Sequence, residues 1–124
     1  MRSRFSSFIV ACALVVLPLS AAAHHGWAGN GDEEFELSGT VAAPLSLVGP
    51  HATWKIKASD GQVWDLTLAS VPQTKSAGLT EDAVPVGSTV TVHGHRNRDA
   101  KKFEIKTERV TFNGKTFNVY PNRS

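Results

Sequence analysis

Ala52-Thr53-Trp54-Lys55-Ile56-Lys57-Ala58, followed across Ser59-Asp60-Gly61-Gln62 by Val63-Trp64-Asp65-Leu66-Thr67-Leu68, is the stretch on which the fold turns. Ala52, Trp54, Ile56 and Ala58 alternate with Thr53, Lys55 and Lys57, the period of two that gives a strand one buried and one wet face. Asp60-Gly61 is a hairpin turn signal, and Trp64, Leu66 and Leu68 on the returning strand meet the apolar set of the first. This phase places both tryptophans in the core. A stacking platform for a sugar or base would need them on the wet face.

Upstream, Phe35, Leu37, Gly39 and Val41 alternate with Glu36, Ser38 and Thr40, with Gly39 suggesting a bend or bulge. Pro44 ends that alternation, and Gly49-Pro50-His51 is a turn that sets His51 at the entrance of the next strand. Downstream, Ser70, Pro72 and Gly78 supply the cap, first turn and stop of a short helix within 70–79. Glu81 to Val86 then returns to the sheet, and Gly87-Ser88 turns.

Val90, Val92 and Gly94 alternate with Thr91, His93 and His95. Inward valines put the two histidines together on the opposite face. After the basic turn Arg96, Asn97, Arg98 and Asp99, with Lys101 and Lys102 close by, Phe103, Ile105 and Thr107 oppose Glu104, Lys106 and Glu108. Val110 and Phe112 lead to the hairpin signal Asn113-Gly114, and Phe117, Val119 and Tyr120 complete a last short strand. The expected fold is all-β, a small OB-like curled barrel of five to six antiparallel strands with one short helix between strands 3 and 4, over residues 35–124. Such a scaffold serves many functions and does not name a ligand.

The first residues follow another logic. Arg2 and Arg4, the apolar run Phe8 to Leu19, and the small residues Ser20 to Ala23 have the three parts of a cleavable export signal. The apolar run is shorter than the ~20 residues that span a bilayer, so removal is expected and no membrane anchor stays on the mature chain. Small residues at both required positions permit cleavage after Ala21, Ala22 or Ala23. Ile9-Val10-Ala11-Cys12 loosely resembles a lipobox, but processing there would leave a greasy segment on the mature chain. The expected division is a signal at 1–23, a mobile N-terminal arm at 24–34 and the barrel. Trp27 is the residue that would pin the arm.

Cleavage removes Cys12, the single cysteine, so the exported domain has neither disulfide nor thiolate metal site. It also removes Arg2 and Arg4, lowering Lys+Arg from 13 to 11 against 11 Asp+Glu and the formal charge from +2 to zero. A balanced chain has little long-range pull on nucleic acid or anionic lipid, and no nucleic-acid partner is expected.

Taken together, His24-His25 directly after the signal, Leu37-Ser38-Gly39-Thr40-Val41, Pro50-His51-Ala52, Trp64, Gly78-Leu79-Thr80, Val90-Thr91-Val92 and Gly94-His95-Arg96 resemble the domain of unknown function 6152 family of small bacterial exported proteins. Gly49 departs from a pattern that more often has asparagine before Pro-His. The resemblance implies a periplasmic, β-barrel-like domain and no established activity.

The five histidines fall at three places, and imidazole suits copper, nickel and zinc. A cut after Ala23 puts a free amine and an imidazole on His24, a bidentate chelate to which His25 or His51 could add a nitrogen. A cut after Ala22 makes His24 the second residue and His25 the third, and a third-position histidine can hold Cu(II) or Ni(II) through amine, amides and ring. The metal candidates are therefore His24, His25 and His51, with His93 and His95 as a secondary pair at i and i+2 on one strand face. The plain alternatives are a solvated arm, a turn histidine and an exposed strand face. No motif names a reaction, so a non-enzymatic copper-binding protein of the periplasm is expected. The alternative is an interaction module for a small ligand or an envelope protein, with the histidines incidental.

Overall fold

A computed structural model describes residues 27–123. The signal expected at 1–23, and with it His24 and His25, lies outside the described residues. Strands β1 (Phe35–Val41), β2 (His51–Ala58) and β3 (Val63–Ser70) precede helix α1 (Val71–Ser76). Strands β4 (Thr89–Arg96), β5 (Glu104–Phe112) and β6 (Lys115–Asn118) follow, before a 3-10 turn at Pro121–Arg123. The sheet runs β3-β2-β1-β4-β5-β6, and β3 also pairs with β5, which closes a five-strand barrel and leaves β6 as an addition. This is the OB-like barrel, with its helix between the third and fourth strands. Among the described residues no helix is long and apolar enough to cross a membrane.

One pairing departs from an all-antiparallel barrel. β3 and β5 run parallel through Asp65–Glu104, Leu66–Ile105 and Thr67–Lys106, whereas the other strand pairs are antiparallel. The cause is arithmetic: an odd ring of strands that alternate in direction must contain one parallel seam.

The central hairpin has the register that its alternation requires, with Trp54 opposite Leu66 and Ile56 opposite Trp64. All four are buried, together with Leu68, Leu79, Val90, Val92, Ile105 and Val110. The connection is a four-residue loop, closed by Ala58 N–H to Gln62 C=O (2.9 Å) with Gly61 at φ +87°. At α1 the Ser70 hydroxyl accepts from Gln73 N–H, Pro72 lies in the first turn, and Gly78 (φ +95°) ends the segment. Residues 81–86 return the chain to the sheet through turns. Pro85 has no N–H to give a ladder, and the segment buries Val84 before Gly87 turns it into β4.

Two glycines mark where the curl brings backbones together. A Cβ on Gly39 would lie 2.6 Å from the Lys57 carbonyl oxygen, and one on Gly94 only 2.1 Å from that of Lys106. Gly39 keeps regular register with both neighbours, so its role is close approach and not a bulge. The bulge is beside Gly94. His93 pairs with Arg109 but Gly94 with Thr107, which leaves Glu108 without a partner on β4.

Gly94→Ala should therefore force the β4–β5 ladder apart at a cost of about 1–3 kcal/mol or more. Gly29→Ala, with nothing within 4 Å of the added carbon, should stay within about 0.5 kcal/mol. Urea unfolding of the two variants measures the difference.

Candidate functional site

The arm joins the barrel at Trp27, which is 9% exposed. Its indole meets the rings of Tyr120 (5.2 Å between centroids) and His95 (5.6 Å) edge-on. The Arg123 guanidinium lies 4.0 Å from the ring centroid and the Lys106 ammonium 5.5 Å. Cation–π attraction strengthens as water is excluded, so the two cations and the burial of the ring act together.

Backbone bonds hold the residues that follow. Asn30 N–H donates to Trp27 C=O, Gly31 N–H to Arg96 C=O and Arg98 N–H to Gly29 C=O, each at 2.9 Å. The Asn30 side-chain amide donates to His95 C=O at 2.7 Å. From Trp27 onward the expected mobile arm is thus laid on the end of β4 and the loop after it. A pocket of about 220 Å³ remains there, among Trp27, Asp32, His95, Arg98 and Arg123.

Beneath the arm the outward face of β5 carries charges that water does not reach. Lys106 is 6% and Glu108 1% exposed. Ile105 and Thr107 face the core, so Lys106 and Glu108 face outward as the alternation requires; it is the arm and Tyr120 that cover them. The bulge turns both Glu108 and Arg109 to this side. His95 Nε2 lies 2.7 Å from Glu108 Oε1 and His95 Nδ1 2.8 Å from Gly31 C=O. Each ring nitrogen of His95 thus faces an oxygen, one on the barrel and one on the arm. Arg109 lies 3.5 Å from Glu108 Oε2 and also pairs with Glu34 of the arm.

Burial lowers the Lys106 ammonium below its ordinary value and raises the Tyr120 phenol, with Arg123 opposing the latter shift. The Lys106 ammonium also lies 5.6 Å from the Tyr120 ring, between the two aromatics.

The predicted site residues separate into different environments. His51 is exposed at the start of β2, paired with Ser70. His93 and His95 do share a face, but each ring has its own carboxylate: His93 Nε2 is 2.8 Å from Glu36 and His95 is held by Glu108. A metal on His95 would have to displace the bond to Gly31 or that to Glu108. Among the described residues no three His, Cys, Asp or Glu side chains gather as a metal centre requires. The basic turn is partly consumed as well. Arg96 lies over the rings of Phe35 and Trp64, and Arg98 bonds Asn30 C=O and Asp32. Lys106, Glu108, Tyr120 and Arg123 were not legible as a cluster. The one available signal was Trp27, a large aromatic near a chain end that needed partners.

The family model described as "Family of unknown function (DUF6152)" matches residues 12–106, most of the chain. The chain belongs to that family. No curated protein matches this DUF6152 sequence. Among solved structures it is similar to a ZRD-deleted mutant of TiaS in complex with agmatine, with a TM-score of 0.50 and 16% identity; the match covers 64% of the DUF6152 chain but only 21% of TiaS. It is also similar to Rim1, a mitochondrial single-stranded DNA binding protein from S. cerevisiae, with a TM-score of 0.51, 11% identity and coverage of 64% and 91%. At such identities the likeness concerns the fold alone.

Trp27→Ala should cost about 3 kcal/mol and abolish exchange protection at Gly31 N–H while leaving Val92 N–H protected; hydrogen exchange read by NMR tests this. The alkaline limb of stability separates Lys106 from Tyr120. Because the folded Lys106 value lies below 10.5, the unfolded chain holds more protons over the interval between them, and stability from this group rises as pH climbs toward 10.5. Tyr120 has the opposite sign: its contribution is whole below pH 10.0 and is lost as pH rises through the raised folded value. Relative to Lys106→Met, the wild type should gain stability as pH rises through the lowered folded value toward 10.5. Relative to Tyr120→Phe it should lose stability above pH 10.0. Urea titrations at several pH values give both differences.

Proposed function

We propose that the chain is exported, loses its signal by a cut after Ala22 or Ala23 and serves in the periplasm as a non-enzymatic binder of a transition metal ion, copper in particular, through His24 and His25 at the new amino terminus. The observation that supports this reading is the burial of Trp27. Trp27 follows His25 by two positions in the sequence, and its burial fixes to the barrel the chain immediately after the proposed ligands. Order supplied in advance lowers the entropy lost when groups close on an ion. A terminal amine with one or two neighbouring imidazoles is a nitrogen-rich set suited to Cu(II). His51, exposed on β2, is available as a further nitrogen. His93 and His95 have lesser claims because their rings already have partners.

Likeness to a single-stranded DNA binding protein raises a nucleic-acid reading, and the surface does not favour it. The outward positions of β2 and β3 are His51, Thr53, Lys55, Lys57, Val63, Asp65 and Thr67, with no indole or phenyl ring on which bases could stack. Trp54 and Trp64 are buried.

Two measurements test the proposal. The mass of protein recovered from the envelope should correspond to a start at His24 or at Ala23; a retained signal, or trimming beyond His25, overturns it. Calorimetric titration with Cu(II) should show one tight site in the exported form. A version with Met before His24 should bind at least ~100-fold more weakly, a loss of the size that even an outer-shell partner can cause. Binding should weaken as pH falls below the amine's ordinary value of ~8, because that nitrogen must lose its proton. Equal affinity of the two forms removes the terminal amine from the site.

A further inference from the structure

The barrel carries a second concave feature, far from the arm in its chemistry: a cleft of about 550 Å³ between the segment after β1 and the outward faces of β2 and β3. Its size falls within the range of small-molecule sites. One wall is firmly built. Ala42 N–H donates to Lys55 C=O (2.9 Å), Ser46 and Thr53 exchange two backbone bonds (2.9 and 3.0 Å), and the buried Trp54 donates its indole N–H to Ala43 C=O at 3.0 Å. No rearrangement is needed to form the cleft.

The opposite wall is set by the barrel's parallel seam. Asp65 on β3 and Glu104 on β5 are register partners, and both line the cleft. Carboxylates directly opposite each other repel, and a fold that keeps such a pair must answer it with positive charge. Lys55 answers one, 2.5 Å from Asp65 Oδ1. Among the described residues the Glu104 carboxylate receives a neutral amide, Asn97 Nδ2 at 2.9 Å, and no cation. Two carboxylates and one ammonium leave the cleft one negative charge in excess. The Thr53 and Thr67 hydroxyls beside them can accept further hydrogen bonds, and Pro44 and Leu66 give apolar contact.

We propose that this cleft binds a small amine, an ammonium group on a short apolar stem. The ammonium sits between Glu104 and Asp65, donating to their remaining oxygens and to a threonine hydroxyl, and the stem lies against Pro44. A polyanion is repelled from the same place, so the cleft discriminates by sign of charge. The inference does not depend on the metal reading: it uses neither the amino terminus nor any histidine.

The test is an NMR titration of the isotope-labelled exported protein in chelator with n-butylamine, n-butanol, maltose and sodium chloride as separate probes. n-Butylamine should shift the amides of Thr53, Asp65, Thr67 and Glu104 saturably, and n-butanol should not. Glu104→Gln should weaken amine binding ~10-fold or more, as expected for loss of a charge-assisted hydrogen bond, with the rest of the spectrum unchanged. Asp65→Asn should weaken it too, a second variant in case the first perturbs the seam. Equal shifts from n-butanol, shifts reproduced by sodium chloride, preference for maltose, or an undiminished response in both variants each overturn the proposal. Since chelator is present throughout, loss of metal binding cannot produce or mask the result.

Discussion

A five-strand ring whose neighbours alternate in direction needs one parallel seam to close, and here it is the short contact of β3 with β5 over residues 104–106. β5 then changes partner on that edge, from β3 to β6 over residues 109–112. The bulge at Glu108 falls between the two contacts. The Glu108 carbonyl accepts from Val119 and Tyr120 N–H, which ties the chain after β6 into the same bend. Gly94 lies opposite because the backbones are too close there for a Cβ.

From that bend follows the polar cluster under the arm. Two successive side chains, Glu108 and Arg109, reach the outer surface beside Lys106 and His95, while Tyr120 is led over them. Charges removed from water are costly unless paired, and removing one member of such a set strands the others. The arm supplies what is missing: the Gly31 carbonyl to His95, Glu34 to Arg109 and the Trp27 ring to Lys106. Arm and barrel are therefore mutually dependent from Trp27 onward. The seam has a second consequence on the far side of the strands, where it sets Asp65 against Glu104 and gives the cleft its sign.

Much of the fold was readable because it rests on short-range rules. The alternation at Trp54, Ile56, Trp64 and Leu66 identified one buried face, and the observed register pairs those residues. Ser70, Pro72 and Gly78 marked a helix by its ends. Asn113-Gly114 takes positive φ at both positions, as a two-residue hairpin turn requires. The site was readable only in part. His93 and His95 were correctly placed on one face, but alternation carries no record of what lies across it, and their carboxylate partners stand 57 and 13 residues away. Alternation set Lys106 and Glu108 opposite the core face, but it cannot show that a remote tryptophan packs over that side.

The amino-acid order by itself determined the strand faces, the turn positions, the helix ends and the OB-like succession of elements, since each depends on residues a few positions apart. Tertiary structure alone decided the parallel seam, the bulge at Glu108, the docking of Trp27 and the pairing of every charged group around it. Those depend on ring closure, which brings distant segments together and sets which face meets water only after the whole sheet has curled.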